Sequence, residues 1–271
     1  MVDAQERVTV SVTDGVAEVR MNRPDKRNAF DPAMFVALIN AGEALKQRAG
    51  LRAVVLSGAG PDFCAGLDFG MFEKMRDGQR LTLPPAGDPP ADSPAQKPGH
   101  RVVWVWAELP VPVIAAVHGH ALGAGLQLTL GADIRIVSPD ARLGVFEVLW
   151  GLIPDMTGTQ LLPDLIGRDK AKELTFTGRI VTGREAVDIG LATRVADDPR
   201  AEALAMAREI AQRSPDAVRA AKRLLDLAGR ADLATGFAAE LAEIGRLISS
   251  PNQVEAVAAR LEQREPRFVD P

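Results

Sequence analysis

The spacing of apolar and polar residues predicts alternating strands and helices in the first part of the chain. Alternation from Val8 to Val12 predicts a strand, and Asp14-Gly15 is typical of a hairpin turn before a return strand from Val16 to Met21. Asp31-Pro32 predicts the start of a helix, because aspartate caps helices and proline suits the first helical position. The short apolar run from Ala53 to Leu56 predicts a buried strand.

The same analysis predicts further strands in the middle of the chain and helices at its end. Strands are expected from Val113 to Val117, from Asp133 to Val137 and from Ala141 to Gly144. A glycine-rich turn and a helix are expected from Gly119 to Leu130. From Thr157 onward, the apolar positions recur mostly at helical spacing. The pattern therefore predicts an α/β chain with mixed strands first and helices last.

One segment, Thr82 to Gly99, is rich in proline and small residues and is not expected to form a regular element. We predict that it is a mobile surface loop. Two interpretations stay open, a solvated insertion and a lid over the tail of a substrate, since long loops often border active sites.

Composition narrows the class of protein. The 271 residues are 46% hydrophobic and 25% charged, which suits one large globular domain, or one domain with a short appendage, with an ample core. A net charge of -4 argues against nucleic acid or an anionic membrane as the main partner. The single cysteine, Cys64, excludes an intramolecular disulfide and favours a reducing compartment. The first ten residues have no apolar stretch typical of a signal peptide, so we expect a soluble, cytoplasmic protein.

Four segments occur in the order and at the spacing of motifs from one enzyme superfamily. They are Met21-Asn22-Arg23-Pro24-Asp25-Lys26-Arg27-Asn28-Ala29, Phe63-Cys64-Ala65-Gly66-Leu67-Asp68, Ala115 to Gly125, and Phe146-Glu147 through Ile153-Pro154-Asp155 to Gly158-Thr159-Gln160. Each motif alone is weak, but together they make residues 8 to 270 resemble the crotonase (enoyl-CoA hydratase/isomerase) superfamily. The active-site pattern is most similar to that of its dienoyl-CoA isomerases.

The resemblance implies a fold, an assembly and a class of substrate. The fold would be an α/β spiral of repeated strand-strand-helix units over residues 1–195, followed by a helical C-terminal region over residues 196–271 that forms trimers. The assembly would be a homotrimer or a dimer of trimers. The substrate would be an acyl-CoA thioester that carries coenzyme A itself, so no separate cofactor is expected. Scattered histidines and one cysteine predict no metal site.

The resemblance also implies an oxyanion hole, in which two backbone N–H groups hold the thioester oxygen as negative charge develops on it. By position, the donors would be Ala65 and Ala124, and Ala124 departs from the glycine usual in the superfamily. The turn Gly123 to Gly125 has another interpretation, which is close packing of a helix against a strand, since small residues also allow that.

Two carboxyl side chains, Glu147 and Asp155, are candidates for proton transfer, and Gln127 is expected to line the site. Hydratases of the superfamily use two glutamates, and this chain has Gln127, which cannot take a proton, at the first position and Glu147 at the second. The apolar neighbours of Glu147 predict burial and a raised pKa, with a buried ion pair as the alternative. Asp155 matches a carboxylate of dienoyl-CoA isomerases, where it would take the α-proton while Glu147 delivers one to the distal carbon. The alternative is that Asp155 caps the next helix.

The resemblance also implies which residues bind coenzyme A. They are Lys26, Arg27, Ala29, Ala65, Gly66, Leu67, Asp68 and Phe268, the last of which can serve a neighbouring subunit. Lys26 and Arg27 are either phosphate partners or solvated surface charges. Cys64 is expected to be a buried filler, and His118 and His120 to be hydrogen-bonded residues of a turn.

The leading hypothesis is an isomerase of fatty-acid metabolism that converts 3,5-dienoyl-CoA to 2,4-dienoyl-CoA with Glu147 and Asp155. The second is hydration of 2-enoyl-CoA, or isomerisation of 3-enoyl-CoA to 2-enoyl-CoA, by Glu147 alone. Because Gln127 replaces a carboxylate, the third is a non-catalytic acyl-CoA binding protein. None of these hypotheses involves nucleic acid or a membrane.

Overall fold

The computed structural model describes residues 7–270, which form two β-sheets and a surrounding set of helices. The larger sheet has the strand order β1-β2-β3-β4-β6-β9, and the smaller has the order β5-β7-β8. The strands are β1 (Val8–Thr13), β2 (Val16–Met21), β3 (Ala53–Gly58), β4 (Val113–Val117), β5 (His120–Leu122), β6 (Ile134–Val137), β7 (Arg142–Gly144), β8 (Val181–Thr182) and β9 (Arg194–Val195).

Helices separate and follow these strands. They are α1 (Pro32–Lys46), α2 (Phe69–Arg76), α3 (Pro98–Ala107), α4 (Ala124–Leu130), α5 (Gly158–Ile166), α6 (Arg168–Thr177), α7 (Gly183–Asp188), α8 (Pro199–Ala211), α9 (Pro215–Leu227), α10 (Leu233–Leu247) and α11 (Pro251–Leu261). Two 3-10 turns span Pro24–Lys26 and Glu147–Trp150. None of the helices in residues 7–270 is long and apolar enough to cross a membrane.

Local sequence explains the first elements. The β1–β2 hairpin turns at Asp14 and Gly15, whose φ angles of 50° and 77° suit a two-residue turn between twisted strands. Helix α1 begins after Asp31, whose side chain accepts a hydrogen bond of 2.8 Å from the Met34 N–H. The sequence-predicted α/β class and the order strand, strand, helix, strand are confirmed.

Two layers of helices cover the larger sheet. All residues of β3 and β4 are buried, as expected for parallel strands packed on both faces. Val54 of β3 joins the main core with Leu38 of α1, whereas Val55 packs with Ala203 of α8 on the other face. Helix α8, which the sequence assigned to the C-terminal region, therefore completes the core of the sheet.

Strand β5 is a feature that the sequence analysis did not predict. The segment from Gly119 to Leu130 was expected to be a turn and a helix, but His120–Leu122 forms a short strand before α4. Its partner is β7, about twenty residues later in the chain, in parallel register. Such a short strand depends on this distant pairing, which a local hydrophobic pattern does not contain.

The proline-rich segment is anchored over part of its length. Helix α3 begins at Pro98, inside the predicted loop, and Leu83 packs against the core. The Ser93 hydroxyl donates a hydrogen bond of 2.6 Å to Glu108, the C-cap residue that follows α3. These contacts correct the expectation of a wholly mobile loop from Thr82 to Gly99. The lid hypothesis stays a prediction.

Candidate active site

Two backbone segments lie side by side at the carboxyl end of β3. The loop from Phe63 to Asp68 runs parallel to β5, with Cys64 bridged to Ala121. The Cys64 N–H donates to His120 O at 2.8 Å, and the Leu122 N–H donates to Cys64 O at 3.0 Å. A Cβ atom on Gly125 would lie 2.4 Å from Cys64 O, so only glycine permits this approach.

The prediction that the Ala65 N–H is a donor of the oxyanion hole is wrong. Its N–H donates a hydrogen bond of 2.9 Å to the carbonyl oxygen of Arg27, so it is not available to a ligand. Arg27 adopts a left-handed conformation, with φ at 49°, after the 3-10 turn Pro24–Lys26. This bend places its carbonyl against the Ala65 N–H, a tertiary contact that the motif alone did not reveal.

The Leu67 N–H takes the place of the Ala65 N–H in the site. Phe30 pairs with both of its neighbours, because the Phe30 N–H donates to Gly66 O and the Asp68 N–H donates to Phe30 O. The Leu67 N–H itself has no hydrogen-bond partner within residues 7–270. Gly66 has a φ of 102°, a conformation that favours glycine and turns the chain at this point.

The second predicted donor, Ala124, has an N–H group that is available to a ligand. It is the first residue of α4, where a helix N–H lacks an internal partner, and nothing in the described part of the chain accepts from it. Leu67 and Ala124 each stand three residues after the bridged pair Cys64 and Ala121. Because these segments run parallel, the two unpaired N–H groups occupy equivalent positions on adjacent segments.

Glu147 lies beside this pair of segments, at the start of the 3-10 turn Glu147–Trp150. A Cβ atom on Gly123 would lie 3.3 Å from its Oε1 atom. Oε1 accepts a hydrogen bond of 2.6 Å from Gln127 Nε2, whereas Oε2 is buried without a protein partner. Burial, helped by the negative charge of Asp155, raises the pKa of Glu147. The alternative of a buried ion pair is wrong, since its partner is an amide.

Gln127 is fully buried, and its amide oxygen is saturated. Gln127 Oε1 accepts hydrogen bonds from the Met156 N–H at 2.9 Å and the Gly158 N–H at 3.0 Å. Because both N–H groups require an acceptor, the amide oxygen must face them and the amide nitrogen must face Glu147. The side chain therefore joins the Glu147 carboxyl to the turn before α5.

Asp155 lies in that turn with its side chain exposed. The residue that precedes α5 is Thr157, which has a left-handed φ of 73° and makes no capping bond through its side chain. Asp155 makes no hydrogen bond within residues 7–270, so its interpretation as a helix cap is wrong. It is nevertheless close enough to Glu147 to influence the pKa of that carboxyl.

Comparison with known proteins is consistent with this geometry. A profile of the family described as enoyl-CoA hydratase/isomerase matches residues 11–271. The chain belongs to this family. It is 34% identical to methylglutaconyl-CoA hydratase of Mus musculus, covering 94% of this chain and 79% of the relative. YngF of Bacillus subtilis (strain 168), named as an enoyl-CoA hydratase/isomerase, is 38% identical over 92% of each chain.

Solved structures match the fold over nearly the whole chain. An enoyl-CoA hydratase of Bacillus anthracis has a TM-score of 0.85 at 32% identity, covering 97% of this chain and 98% of that one. DspI of Pseudomonas aeruginosa has a TM-score of 0.84 at 29% identity and 97% coverage of both chains. The fold expected from the crotonase motifs is therefore shown, with the helical C-terminal region present.

The residues predicted to bind coenzyme A differ in their exposure and in their partners within the protein. Lys26 and Arg27 have exposed side chains beside the 63–68 loop, and Arg27 Nε lies 3.5 Å from the buried carboxylate of Asp62. Ala29 is buried. Asp68 caps α2 and binds Arg23 at 2.6 Å. Although burial opposes it, the hydrogen bond from Arg23 holds the pKa of Asp68 below its usual value.

Phe268 lies at the opposite end of the sheet. It lines a surface cavity of about 410 Å³ with Gly15, Gly50 and Arg52, at the amino end of β3. The six residues of β3 span roughly 16 Å between this end and the loop that carries Leu67. Within one protomer Phe268 is therefore remote from the site, and its role in a neighbouring subunit's coenzyme A site stays a prediction.

Cys64 and the two histidines near Gly119 make contacts within the protein. Cys64 is fully buried, and burial raises the pKa of its thiol to about 12, so it packs as a small filler. His118 Nε2 contacts Gly60 O at 2.9 Å, and His120 Nδ1 contacts Asp62 Oδ1 at 2.6 Å. Both histidines are thus hydrogen-bonded as predicted, but only His118 lies in the turn, whereas His120 begins β5. No cluster suited to a metal ion occurs in the part of the chain that the structure describes.

Sequence reasoning missed two features of the site. One is Leu67 as a main-chain donor, for which the preceding Gly66 was the only local signal. The other is an aromatic cluster in the elements that follow Asp68 and Glu147, in which Phe72 and Trp150 stack with ring centroids 4.2 Å apart. Phe69 packs edge-on against Trp150 at 6.2 Å. These rings come from α2 and from the turn that begins at Glu147, so only folding brings them together.

Proposed function

We propose that this protein isomerises an unsaturated acyl-CoA thioester, and specifically converts 3,5-dienoyl-CoA to 2,4-dienoyl-CoA. The observation that carries the proposal is the set of side chains around Glu147. The amide of Gln127, which contacts Glu147, has its acceptor oxygen in use, and the exposed carboxylate of Asp155 lies near enough to raise the pKa of Glu147.

The chemistry assigns a different task to each group. Asp155 removes a proton from the carbon beside the thioester carbonyl, and the resulting dienolate places negative charge on the thioester oxygen. The N–H groups of Leu67 and Ala124 receive that oxygen. Glu147, whose raised pKa favours its protonated form, delivers a proton to the distal carbon from Oε2. Both carboxyls then return to their starting states by proton exchange with water.

Environment supports this division of tasks. An exposed carboxylate exchanges protons readily with solvent, whereas a buried carboxyl holds its proton until a substrate carbon accepts it. Hydration needs a group that accepts a proton from the attacking water. Gln127 cannot supply one, since an amide has no basic site at neutral pH and its oxygen already accepts two N–H bonds.

The test follows formation of the conjugated 2,4-diene by absorbance with 3,5-dienoyl-CoA as substrate. We expect Glu147→Gln and Asp155→Asn each to lower kcat by about 10²- to 10⁴-fold, the usual contribution of general acid-base groups. Asp164→Asn, on the exposed face of α5, is the matched control. Full activity in the Glu147→Gln, Asp155→Asn double variant would refute the proposal.

Hydration of a 2-enoyl-CoA by Glu147 alone is the second candidate. It is supported by the hydratase names of several relatives, including methylglutaconyl-CoA hydratase of Mus musculus. Incubation with 2-enoyl-CoA and detection of the 3-hydroxyacyl product distinguish the two reactions. Tight binding of acyl-CoA esters without any turnover would favour the third hypothesis, a non-catalytic binding protein.

A further inference from the structure

We propose that Gln127 is a positioning residue that holds Glu147 and the turn carrying Asp155 in one fixed arrangement. The inference rests on the proposed function, because it concerns the same two carboxyls. It assigns a task to the residue that stands where the hydratases of the family have a glutamate. The amide would act through both carboxyls and not on the substrate.

The first observation is the saturation of Gln127 Oε1. Its two lone pairs accept from the Met156 and Gly158 N–H groups, so the amide cannot rotate without leaving buried donors unpaired. Nε2 is therefore aimed at Glu147 Oε1, 2.6 Å away. A Cβ atom on Gly158 would lie 2.7 Å from Gln127 Oε1, so the contact also depends on glycine at that position.

The second observation is the strain of the turn that the amide holds. Thr157 lies between the two donors Met156 and Gly158 and has a φ of 73°, which is rare for a β-branched residue. Its hydroxyl is buried without a protein partner. A turn with these features needs support from its surroundings. Gln127 supplies it from both sides of Thr157, and Asp155 immediately precedes this stretch.

The third observation is the asymmetry of the Glu147 carboxyl. Oε1 is occupied by the Gln127 donor, whereas Oε2 is buried without a partner. Only Oε2 is therefore left to exchange a proton with the substrate. The donated hydrogen bond also favours the ionised carboxylate, so it limits the rise in pKa that burial causes. Gln127 thus sets both the position and the acidity of the proton donor.

The test compares Gln127→Glu and Gln127→Leu with Gln160→Glu. Gln127→Glu preserves an acceptor for the Met156 and Gly158 N–H groups, but it places a second carboxyl against Glu147 so that the two must share a proton. Gln127→Leu removes every hydrogen bond. Gln160 is exposed on α5, so Gln160→Glu adds the same charge outside the site. Thermal melting establishes which variants are folded.

We expect Gln127→Glu to lower kcat for isomerisation by about 10-fold or more, with little change in KM, because positioning and protonation of Glu147 change while acyl-CoA binding does not. The limb of the pH-kcat profile that reports Glu147 should move. The ratio of isomerisation to hydration should fall, since the new carboxyl can accept a proton from water. Gln160→Glu should match the wild type in kcat, in its pH-kcat profile and in the ratio of isomerisation to hydration.

A second readout separates this inference from the proposed function. Exchange of the α-hydrogen of butanoyl-CoA for deuterium in D2O, followed by NMR, reports proton transfer without any net isomerisation. A wild-type protein that neither exchanges nor isomerises would overturn the proposed function and this inference with it. An active wild type whose kcat, pH profile and isomerisation-to-hydration ratio are unchanged in Gln127→Glu would overturn the inference alone.

Discussion

At the scale of single residues, two residues of the site destabilise the folded protein. Glu147 is buried with one unpaired oxygen, and Thr157 adopts a left-handed backbone conformation. Both features reduce the free energy of unfolding, because a buried carboxylate is poorly solvated and a β-branched residue resists positive φ. Because both features occur at the proposed proton donor and in the turn bonded to it through Gln127, we infer that they are kept for catalysis although they lower stability.

The Glu147→Gln variant should therefore gain stability at neutral pH. Because the folded pKa lies above the ordinary value of 4.5, protonation of Glu147 stabilises the wild type below that pH. This stabilisation is lost as pH rises through the folded pKa, whereas Glu147→Gln has no such loss. Chemical denaturation between pH 4 and pH 8 checks this, and a stability difference that does not change with pH would contradict it.

The Thr157→Gly variant should relieve backbone strain. A left-handed conformation costs a non-glycine residue roughly 1–2 kcal/mol, part of which is offset by the greater freedom of glycine in the unfolded chain. We expect a net gain of up to about 1 kcal/mol in the free energy of unfolding. Urea denaturation measures it, with Thr159→Gly on exposed α5 as the destabilising control.

At the scale of elements, the buried side chain of Arg101 connects α3 with α1 and with the proline-rich segment. Arg101 is 1% exposed, pairs with Glu43 of α1, and donates to Glu108 at 2.6 Å. Glu108 also binds Lys46 and Ser93. Although burial opposes it, hydrogen bonds from these partners hold the pKa of Glu108 below its usual value. This network explains why a segment without regular structure is anchored.

Arg101→Met should destabilise the protein by about 3 kcal/mol or more, because it leaves Glu43 and Glu108 without their buried cationic partner. Arg76→Met, which removes an exposed pair with Asp77, should cost at most about 1 kcal/mol. Differential scanning calorimetry compares the two. The Arg101 effect should shrink as pH falls below the ordinary glutamate pKa of 4.5 and through the lowered pKa of Glu108, because a protonated Glu108 carboxyl no longer requires a cationic partner. Equal effects of the two substitutions would argue against the network.

At the scale of the whole molecule, the C-terminal helices present an apolar surface that one protomer does not cover. Helix α10 exposes a stripe that recurs every three or four residues, and Ile248 directly after the helix continues it: Leu233, Phe237, Leu241, Ile244 and Ile248. Glu243 on another side of the same helix pairs with Arg223 of α9. A stripe of this kind on the region expected to form trimers favours an interface between protomers.

The paired substitution Phe237→Glu, Leu241→Glu should therefore convert the predicted trimer or hexamer to monomers. Charges placed in an apolar interface lose solvation that the monomer keeps. Size-exclusion chromatography with light scattering gives the mass. Ala242→Glu, exposed on the other side of α10, is the control and should leave the assembly unchanged. A wild-type protein that is already monomeric would remove the basis of the trimer prediction.

The predicted cytoplasmic location is a separate question, and several relatives are named as mitochondrial proteins.

The sequence by itself determined the class of the fold, the order of its main elements and the position of Glu147 and Gln127. These follow from hydrophobic spacing, from capping residues such as Asp31 and from short motifs, all of which are local. The tertiary structure alone decided which N–H groups are free, because Ala65 bonds to Arg27 and Leu67 does not bond within the described chain. It also decided the partners of the Gln127 amide. Hydrogen bonds between segments distant in sequence depend on how the chain folds back on itself, and no local pattern records them.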